Sequence, residues 1–306
     1  MLLKDFIKKA KEDLFEIYGE QEANALTLYL CSEILGTKNY THIVDPKFEI
    51  EKSKQVKLDS IVARLNNNEP IQYILGEAYF FGRKFKVDPS VLIPRQETET
   101  LCKMAIKEAL RLKRQRSPYG AAASNVRVLD LCTGSGCIAW TIALAAPGTD
   151  VCAVDISKES IKVAKSNNFH AEIKSTSAKK VNFIEADILT DILEEEIFAK
   201  EDKFDILVAN PPYVREKEKK KMKKNVLNSE PTLALFVTDT DPLIYYRAIA
   251  MRANALLNEK GIGIVEINEA LGEEVAQIFK DNSWLYTEII KDMYGKNRFV
   301  FFSKGI

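Results

Sequence analysis

Phe204-Asp205-Ile206-Leu207-Val208-Ala209-Asn210-Pro211-Pro212-Tyr213 is the stretch of sequence that decides the fold. A mostly aliphatic run stops abruptly at Asn210 and two prolines, which predicts a buried strand that ends at Ala209. In an open α/β sheet, ligands bind just beyond the carboxyl ends of such strands. Asn210 would offer a carbonyl acceptor there and Tyr213 a flat wall, and both suit a planar amide or amino group. The alternative is an ordinary strand-ending turn, because Asn-Pro is common in turns.

A second strand leads into a glycine-containing loop. Residues Arg127 to Ile138 read Arg-Val-Leu-Asp-Leu-Cys-Thr-Gly-Ser-Gly-Cys-Ile, which predicts a strand, a loop whose backbone approaches a ligand, and the start of a helix. Such loops often bind phosphate, but the spacing matches neither Gly-x-Gly-x-x-Gly nor a P-loop. Asp130 at the strand end would also repel a pyrophosphate. The loop therefore fits a ligand with an ammonium or sulfonium group, which indicates S-adenosylmethionine rather than NAD or ATP.

Two more predicted strands end in carboxylates. Val151–Asp155 ends 25 residues after Asp130, an interval typical of a strand–helix–strand unit whose second strand ends in an acid that binds ribose hydroxyls. Val181–Asp187 ends in the same way, and Asp187 could accept a hydrogen bond from an adenine amino group. A single Asp at a strand end is often only a helix cap. Three consecutive strand ends with Asp, followed by one with Asn-Pro-Pro-Tyr, make a much more specific pattern.

Blocks of sequence spread along the chain resemble a known family. They are Pro-Ile-Gln-Tyr-Ile-Leu-Gly at 70–76, Val-Leu-Ile-Pro-Arg-Gln-Glu-Thr-Glu at 91–99, Asp-Leu-Cys-Thr-Gly-Ser-Gly-Cys at 130–137, Asn-Pro-Pro-Tyr at 210–213 and Glu-Pro-Thr-Leu-Ala-Leu at 230–235. In this order they are similar to the protein-glutamine N5-methyltransferases that modify peptide chain release factors. Asn-Pro-Pro-Tyr is shared with DNA adenine and ribosomal RNA guanine methyltransferases and indicates only the chemistry. The first two blocks narrow the resemblance to this family, and the likeness reaches Asp292–Arg298.

The resemblance implies an α/β fold, a seven-stranded Rossmann-like S-adenosylmethionine-dependent methyltransferase sheet with a small N-terminal helical bundle and a β-hairpin linker. It implies a substrate-recognition domain over residues 1–76, the hairpin over 77–93 and the catalytic domain over 94–306. Apolar residues recur at helical spacing from Leu3 to Ile17 and from Leu58 to Leu65. Within Tyr79–Val87, a period-two alternation that includes Phe81 also predicts the hairpin. Trp284–Lys291 and Arg298–Phe302 are expected to form the antiparallel pair that completes the sheet.

The resemblance also assigns site residues. A carboxamide nitrogen is a poor nucleophile, so the Asn210 side-chain oxygen and the Pro211 carbonyl would each accept one N–H of a substrate glutamine and hold its nitrogen in line with the methyl donor. The catalytic and substrate-binding residues would be Asn210, Pro211, Pro212 and Tyr213, with Arg95 beside them. The cofactor contacts would be Asp130, Cys132, Thr133, Gly134, Ser135, Gly136, Asp155, Asp187, Ile188 and Asn210. For Arg95, a surface ion pair is the alternative.

The chain departs from the family pattern at two positions. The family loop usually has Gly where this chain has Cys132, so the backbone there must keep φ negative or tolerate strain. The family also tends to place Gly after Glu266-Ile267, where this chain has Asn268. Asn tolerates left-handed geometry better than other residues with a side chain, so we expect that change to be mild.

Composition narrows the class of protein. The chain has 306 residues, a length that predicts two domains. It has 44 Lys+Arg and 44 Asp+Glu, and the resulting net charge of +0 predicts no general affinity for nucleic acid. Five cysteines without a Cys-x-x-Cys pair, and only two histidines, argue against a metal site and for reduced thiols. There is no apolar run of membrane-spanning length and no signal-peptide pattern at the start. Composition therefore predicts a cytoplasmic protein, which we expect to be a monomer, and the resemblance implies class I release factors as its partners.

Some alternatives remain open from sequence alone. A non-catalytic binding module could keep the cofactor fold, although intact Gly134, Asp155 and Asn210 argue against it. An enzyme that methylates a nucleic-acid base or a ribosomal-protein glutamine is the runner-up. The basic run Arg215–Lys224 is either a solvated helix face or a surface that steers an acidic protein to the site. The small residues at 117–124 predict a surface loop.

Overall fold

The computed structural model describes residues 1–116, 125–176, 178–190, 203–222 and 224–305. They divide into two compact units, one comprising Met1–Leu75 with Lys223–Ser229 and the other Gly76–Met222 with Glu230–Ile306. The loop expected at 117–124 and residue 223 of the basic run lie outside the described residues. None of the described helices is both long enough and apolar enough to cross a membrane.

The first unit contains the N-terminal helices that the apolar spacing predicts. They are α1 (Leu3–Leu35), α2 (Thr41–Val44), α3 (Lys52–Asn66) and α4 (Ile71–Leu75). The apolar faces of α1 and α3 meet in one core that includes Phe6, Leu14 and Leu58. Gly19 has φ 70° and ψ 173°, so the backbone of α1 leaves the helical region there and the helix is kinked.

The hairpin has a shorter alternating pattern than the sequence predicts. Its strands are β1 (Glu77–Phe80) and β2 (Arg83–Lys86), which pair antiparallel. Phe81 was expected in the alternation but occupies the turn with Gly82, with φ values of 50° and 73°. A two-residue hairpin turn of this kind requires positive φ at both central positions, which matches the twist of the flanking strands. The N–H of Phe81 donates to Glu99 Oε1 at 2.8 Å and holds this conformation.

The second unit is built on strands and covering helices. The strands are β3 (Arg127–Leu131), β4 (Asp150–Asp155), β5 (Asn182–Glu185), β6 (Phe204–Ala209), β7 (Val214–Arg215), β8 (Phe236–Val237), β9 (Leu257–Glu266), β10 (Tyr286–Lys291) and β11 (Asn297–Ser303). The helices are α5 (Thr98–Arg116), α6 (Cys137–Ala145), α7 (Lys158–Ser166), α8 (His170–Thr176), α10 (Thr232–Leu235), α11 (Ile244–Leu256) and α12 (Gly272–Asp281). The 3₁₀ helix Glu216–Lys221 belongs to this unit, and α9 (Lys224–Ser229) to the first.

Seven strands form the central sheet in the order β10-β11-β9-β6-β3-β4-β5. Neighbouring strands are parallel except at β11, which is antiparallel to both β9 and β10. The predicted seven-stranded α/β fold and its closing antiparallel pair are therefore confirmed.

Both faces of the sheet are covered, which explains why its central strand β6 is apolar at every position except Asp205. Along β6, Ile206 and Val208 pack into one apolar cluster, whereas Leu207 and Ala209 pack into another on the opposite face. Asp205 is the polar exception in this strand. Its carboxylate accepts hydrogen bonds from the Arg116 side chain, the backbone N–H of Arg127 and Asn258 Nδ2, the last at 2.8 Å.

Candidate active site

A cavity of about 300 Å³ opens at the carboxyl ends of the neighbouring parallel strands β5, β4, β3 and β6. This edge is where an open α/β sheet binds its ligands. The structure brings most of the predicted site residues into its wall. These residues are Arg95, Cys132, Thr133, Gly134, Ser135, Asp155, Asp187, Ile188, Asn210 and Pro212. Four predicted residues are absent from the wall, namely Asp130, Gly136, Pro211 and Tyr213.

The loop after β3 is shaped by three residues in the left-handed region. Cys132 has φ 62°, Gly134 φ 54° and Gly136 φ 76°. Cys132 therefore takes the strained of the two conformations expected for it, at a cost of about 1–3 kcal/mol. No atom lies within 4 Å of the position that a Cβ of Gly134 would take, so its backbone is open to the cavity. A Cβ at Gly136 would lie 3.0 Å from Ala164 Cβ, so that glycine serves the packing of α6 rather than a ligand.

Asp155 is held rigidly at the end of β4. The N–H of Gly134 donates to its Oδ2 at 2.8 Å, and the N–H of Ser157 donates to its Oδ1 at 2.9 Å. Burial raises the pKa of this carboxyl, and the two hydrogen bonds oppose that rise. Asp187 lies just beyond the end of β5, where its Oδ1 accepts the N–H of Leu189 at 2.8 Å.

This donor and acceptor set distinguishes between ligands. The carboxylates of Asp155 and Asp187 lie at neighbouring strand ends and keep further acceptor capacity for hydroxyl and amino groups. The open backbone at Gly134 allows close approach. Two acids in the wall disfavour a polyphosphate and favour a ligand with ribose hydroxyls, an amino group and positive charge. The residues therefore fit S-adenosylmethionine.

Asp130 does not face the cavity, which corrects the expectation of a direct ligand contact. It is fully buried, and its Oδ2 accepts a hydrogen bond from Thr133 Oγ1 at 2.6 Å. Its Oδ1 is buried without a hydrogen-bond partner among the described residues. Burial raises the pKa of Asp130 to about 7, and the Thr133 hydrogen bond opposes that rise. The side chain supports the loop from beneath.

Asn210 begins a chain of buried hydrogen bonds that sequence reasoning missed. Its Nδ2 donates to Thr98 Oγ1 at 3.3 Å, and Thr98 Oγ1 donates to Glu266 Oε2 at 2.7 Å. Both Thr98 and Glu266 are buried, and burial raises the pKa of Glu266. A signal for Glu266 was present, because it ends the apolar strand β9 as Asp155 ends β4. No comparable signal marked Thr98.

Tyr213 braces the same chain instead of forming the expected wall. Its hydroxyl donates to Glu266 Oε1 at 2.9 Å, and its backbone oxygen accepts from Asn268 Nδ2 at 3.1 Å. Asn268 Nδ2 also donates to Glu218 Oε2 at 2.9 Å, and its backbone is not among those with positive φ. Asn268 thus tethers the segment after Asn210 through its side chain, not through the left-handed geometry that its family counterpart suggested.

Arg95 lies in the cavity wall and also forms an ion pair. Its guanidinium donates to Glu230 Oε1 at 2.6 Å, and the N–H of Ile93 donates to Glu230 Oε2 at 3.3 Å. Glu230 is buried, and Pro231 next to it lines the cavity. The pair therefore joins two segments of the wall and is not an exposed surface contact.

The part of the chain that the structure describes contains no cluster of side chains suited to bind a metal ion. No group of three or more His, Cys, Asp or Glu side chains there could hold a metal ion. The cysteines Cys31, Cys102, Cys132, Cys137 and Cys152 are all free thiols. Burial raises the pKa of Cys137 to about 12, so this thiol is protonated at neutral pH.

Two family models match the chain. One, described as a methyltransferase domain, matches residues 122–299, and the other, described as the PrmC N-terminal domain, matches residues 5–76. The release factor glutamine methyltransferase of Flavobacterium psychrophilum is 36% identical over 98% of this chain and 98% of the relative. The protein of the same name from Bacteroides thetaiotaomicron is 38% identical over 94% of this chain and 95% of the relative.

Among solved structures, the human methyltransferase 10 domain containing protein is similar with a TM-score of 0.51 and 13% identity. The match covers 74% of this chain and 90% of that protein. At this identity the likeness concerns the fold alone.

Proposed function

The chain belongs to the release factor glutamine methyltransferase family, and from this premise we propose that it methylates the side-chain amide nitrogen of a glutamine in class I peptide chain release factors. The target is the glutamine of their Gly-Gly-Gln motif. The observation that carries the proposal is Asn210, which lies in the wall of the strand-end cavity and whose Nδ2 is engaged by Thr98. That engagement leaves a carbonyl oxygen for a substrate amide.

When bound, S-adenosylmethionine supplies an electrophilic methyl group on a positively charged sulfur. Asp155 and Asp187 would hold it by accepting hydrogen bonds from ribose hydroxyls and from the adenine amino group. The backbone around Gly134 would accommodate its close approach, because no atom occupies the space in front of that glycine. Above a pH of about 7, where it is ionised, the buried Asp130 would add negative potential from beneath the loop.

The chain's remaining task is to position a weak nucleophile. Asn210 Oδ1 would accept one N–H of the glutamine carboxamide. The Pro211 carbonyl was expected to accept the other, but Pro211 does not line the cavity, so the clamp proposed here rests on Asn210. An acceptor at this position orients the amide and raises the electron density on its nitrogen, and positioning of this kind supplies much of the barrier reduction. No basic side chain is required, because a carboxamide nitrogen that has gained a methyl group loses its proton readily to water.

The same proposal covers partners and location. A net charge of +0 offers no general attraction to a polyanion, so a protein substrate fits better than a nucleic-acid base. The enzyme would act as a cytoplasmic monomer on release factors. The first unit, which carries the match at residues 5–76, would recognise the protein substrate.

Transfer of a tritiated methyl group from S-adenosylmethionine tests the proposal. We expect label in a purified release factor and none in the same protein with its Gly-Gly-Gln glutamine changed to alanine. Asn210→Ala should bind S-adenosylhomocysteine, the demethylated cofactor, normally. Its turnover should fall about a hundredfold, which corresponds to roughly 3 kcal/mol of lost transition-state stabilisation from positioning the substrate. Asn254→Ala is the matched control, since its Nδ2 donates to the Asn282 carbonyl at 2.9 Å and the residue does not line the cavity. Normal turnover by Asn210→Ala would overturn the proposed site.

A further inference from the structure

The hydrogen bonds behind Asn210 have a fixed direction. We infer that Thr98 and Glu266 are positioning residues that hold the Asn210 side-chain amide with Oδ1, and not Nδ2, available to the substrate. The inference rests on the proposed function, because it concerns the acceptor that Asn210 would offer to glutamine. It assigns roles to two residues outside the Asn-Pro-Pro-Tyr motif.

The first step follows from the single proton of the Thr98 hydroxyl. Thr98 Oγ1 lies 2.7 Å from Glu266 Oε2, a short contact typical of a hydroxyl that donates to a carboxylate. With its proton directed to Glu266, Oγ1 can only accept from its other neighbour. Asn210 therefore has to present its NH₂ end, as it does at 3.3 Å. No hydrogen bond reaches Asn210 Oδ1 from the described residues.

Glu266 is the residue at which this series of hydrogen bonds ends. Glu266 is buried, and each of its carboxylate oxygens has its own donor, Oε2 from Thr98 and Oε1 from the Tyr213 hydroxyl at 2.9 Å. The positive charge of Arg298 acts on it as well. In its ionised form Glu266 has no proton to donate, so both hydroxyls donate to it and the Thr98 proton points towards Glu266.

The fold brings Asn210, Thr98 and Glu266 together. Strands β6 and β9 are parallel neighbours, and Ala209 pairs with Val265. The residues that follow, Asn210 and Glu266, therefore lie side by side at the carboxyl edge of the sheet. Thr98, the first residue of α5, fills the space between their side chains and also lines the cavity.

The consequence is chemical. The two ends of an Asn side-chain amide have nearly the same shape, and only the surrounding hydrogen bonds decide which end faces a ligand. An Asn210 turned by half a rotation would present N–H groups to the N–H groups of the substrate glutamine. Donor would face donor, and the substrate nitrogen would not be held.

A double-mutant cycle between Thr98 and Asn210 tests the inference. Thr98→Val removes the hydroxyl and keeps the shape, and we expect kcat to fall at least about tenfold, with less than about threefold change in KM or in affinity for S-adenosylhomocysteine. Thr98→Ser restores the hydroxyl and should restore most of kcat. In the Asn210→Ala background, Thr98→Val should have no further effect on kcat, because Thr98 acts through Asn210. If Thr98→Val lowered kcat equally in the wild-type and Asn210→Ala backgrounds, the inference that Thr98 acts through Asn210 would be overturned.

Thr141→Val is the matched control for loss of a buried hydroxyl. Thr141 is fully buried on α6, and its Oγ1 has no hydrogen-bond partner in the described part of the chain. Its substitution should leave kcat unchanged. If Thr98→Val does not fold, Glu266→Gln decides the question. Its amide can donate to Thr98 and release the Thr98 proton towards Asn210, so kcat should fall while Thr98→Ser stays active.

The outcomes separate the two proposals. Normal turnover by Asn210→Ala would overturn the proposal that Asn210 holds the substrate amide, and this inference with it. A low kcat of Asn210→Ala together with a normal kcat of Thr98→Val or Glu266→Gln would support the role of Asn210 and overturn only the positioning roles of Thr98 and Glu266.

Discussion

Arg95 Nη2 donates to Glu230 Oε1 across 2.6 Å and joins segments 135 positions apart in the chain. The partners differ in exposure, because the Glu230 side chain is 1% exposed and that of Arg95 is 34% exposed. Removal of Glu230 leaves a guanidinium that water reaches. Removal of Arg95 leaves a buried carboxylate with the Ile93 N–H as its hydrogen-bond donor among the described residues. The two halves of this ion pair are therefore not equivalent.

We expect Arg95→Ala to lower the free energy of unfolding by about 2–3 kcal/mol and Glu230→Gln by about 1 kcal/mol, as measured by urea unfolding. The Gln variant carries no buried charge and keeps one carbonyl oxygen that can accept from Arg95, while its NH₂ replaces the oxygen that accepts from the Ile93 N–H across 3.3 Å. Arg247→Ala is the control, because its pair with Asp241 is exposed at both ends, 49% and 40%, and should cost under about 0.5 kcal/mol. Equal losses for the Arg95 and Glu230 variants would contradict the asymmetry.

Gly263 is required by the packing of β9 against β11. A Cβ at this position would lie 1.9 Å from Phe302 Cζ, and the Phe302 ring cannot retreat because it stacks on Phe279 with centroids 3.9 Å apart. We expect Gly263→Ala to destabilise the protein by about 2–4 kcal/mol in thermal or urea unfolding. Gly305→Ala, where no atom lies within 4 Å, should have little effect.

Relief of the clash would support this cause directly. Phe302→Leu alone leaves a cavity and should also be destabilising. In the double variant, the smaller leucine side chain in place of the Phe302 ring makes room for the new methyl group, so the combined loss should be smaller than the sum of the single losses. Strict additivity would mean that the cost of Gly263→Ala arises elsewhere.

The sequence predicted which strand ends meet, but not which side chains face the cavity. Asp155, Asp187 and Asn210 follow or end apolar runs, and the parallel sheet brings them to one edge. Asp130 shows the same pattern, yet Leu131 pairs with Val154, so Asp130 lies deeper in the sheet than Asp155 and is not part of the cavity wall. Register between strands decides this, and register is not encoded locally.

The support behind Asn210 was hidden for a different reason. Thr98 and Glu266 are 168 positions apart, and their contact depends on how α5 packs beside β9. A threonine at a helix start is usually an N-terminal cap, so its sequence context gave no sign of a second role. The Phe81 turn was missed because a bulky residue with positive φ is uncommon, and only the tertiary hydrogen bond to Glu99 explains it.

Asp155 should contribute to cofactor affinity. We expect Asp155→Asn to weaken binding of S-adenosylhomocysteine by roughly 10–100-fold in calorimetry, because it removes charge-assisted hydrogen bonds to ribose hydroxyls. Asp150→Asn at the other end of β4 is the matched control. Asp150 forms an ion pair with Lys179 at 2.7 Å outside the cavity, so its substitution should leave affinity unchanged. Equal affinities for the Asp155→Asn variant and the wild-type protein would contradict the ribose assignment.

Asp130 should make stability depend on pH. Its pKa rises from 3.8 in the unfolded chain to about 7 in the fold, so between these values only the folded state holds the proton. Stability from this group is therefore present at low pH and is lost as pH rises towards 7. At 1.36 kcal/mol per pKa unit, the advantage of wild type over Asp130→Asn should fall by about 2–4 kcal/mol between pH 4 and 7.5. Urea unfolding across this range measures the difference, and a difference independent of pH would contradict the burial argument.

The basic run has fewer free charges than its sequence suggests. Arg215 pairs with Glu218 at 3.1 Å, and Lys219 pairs with Glu216 and lies over the Phe236 ring at 4.3 Å. Lys217 and Lys220 are exposed and form no ion pair within the described residues. Among the side chains of the run that the structure describes, these two lysines are therefore available to attract an acidic surface of a protein substrate.

If Lys217 and Lys220 steer the release factor, kcat/KM for the whole protein should fall between low salt and about 0.5 M salt, because exposed charges are screened beyond about one Debye length. A short glutamine peptide should show little dependence on salt, since it lacks the distant acidic surface. Lys217→Glu with Lys220→Glu should remove most of the difference between the two substrates without changing kcat. Lys180→Glu with Lys260→Glu carries the same change in charge towards the opposite edge of the sheet, where β5 begins and β9 is in its first half, and should preserve the difference. Identical salt curves for the two substrates with the wild-type enzyme would return the run to a solvated surface with no role in recognition.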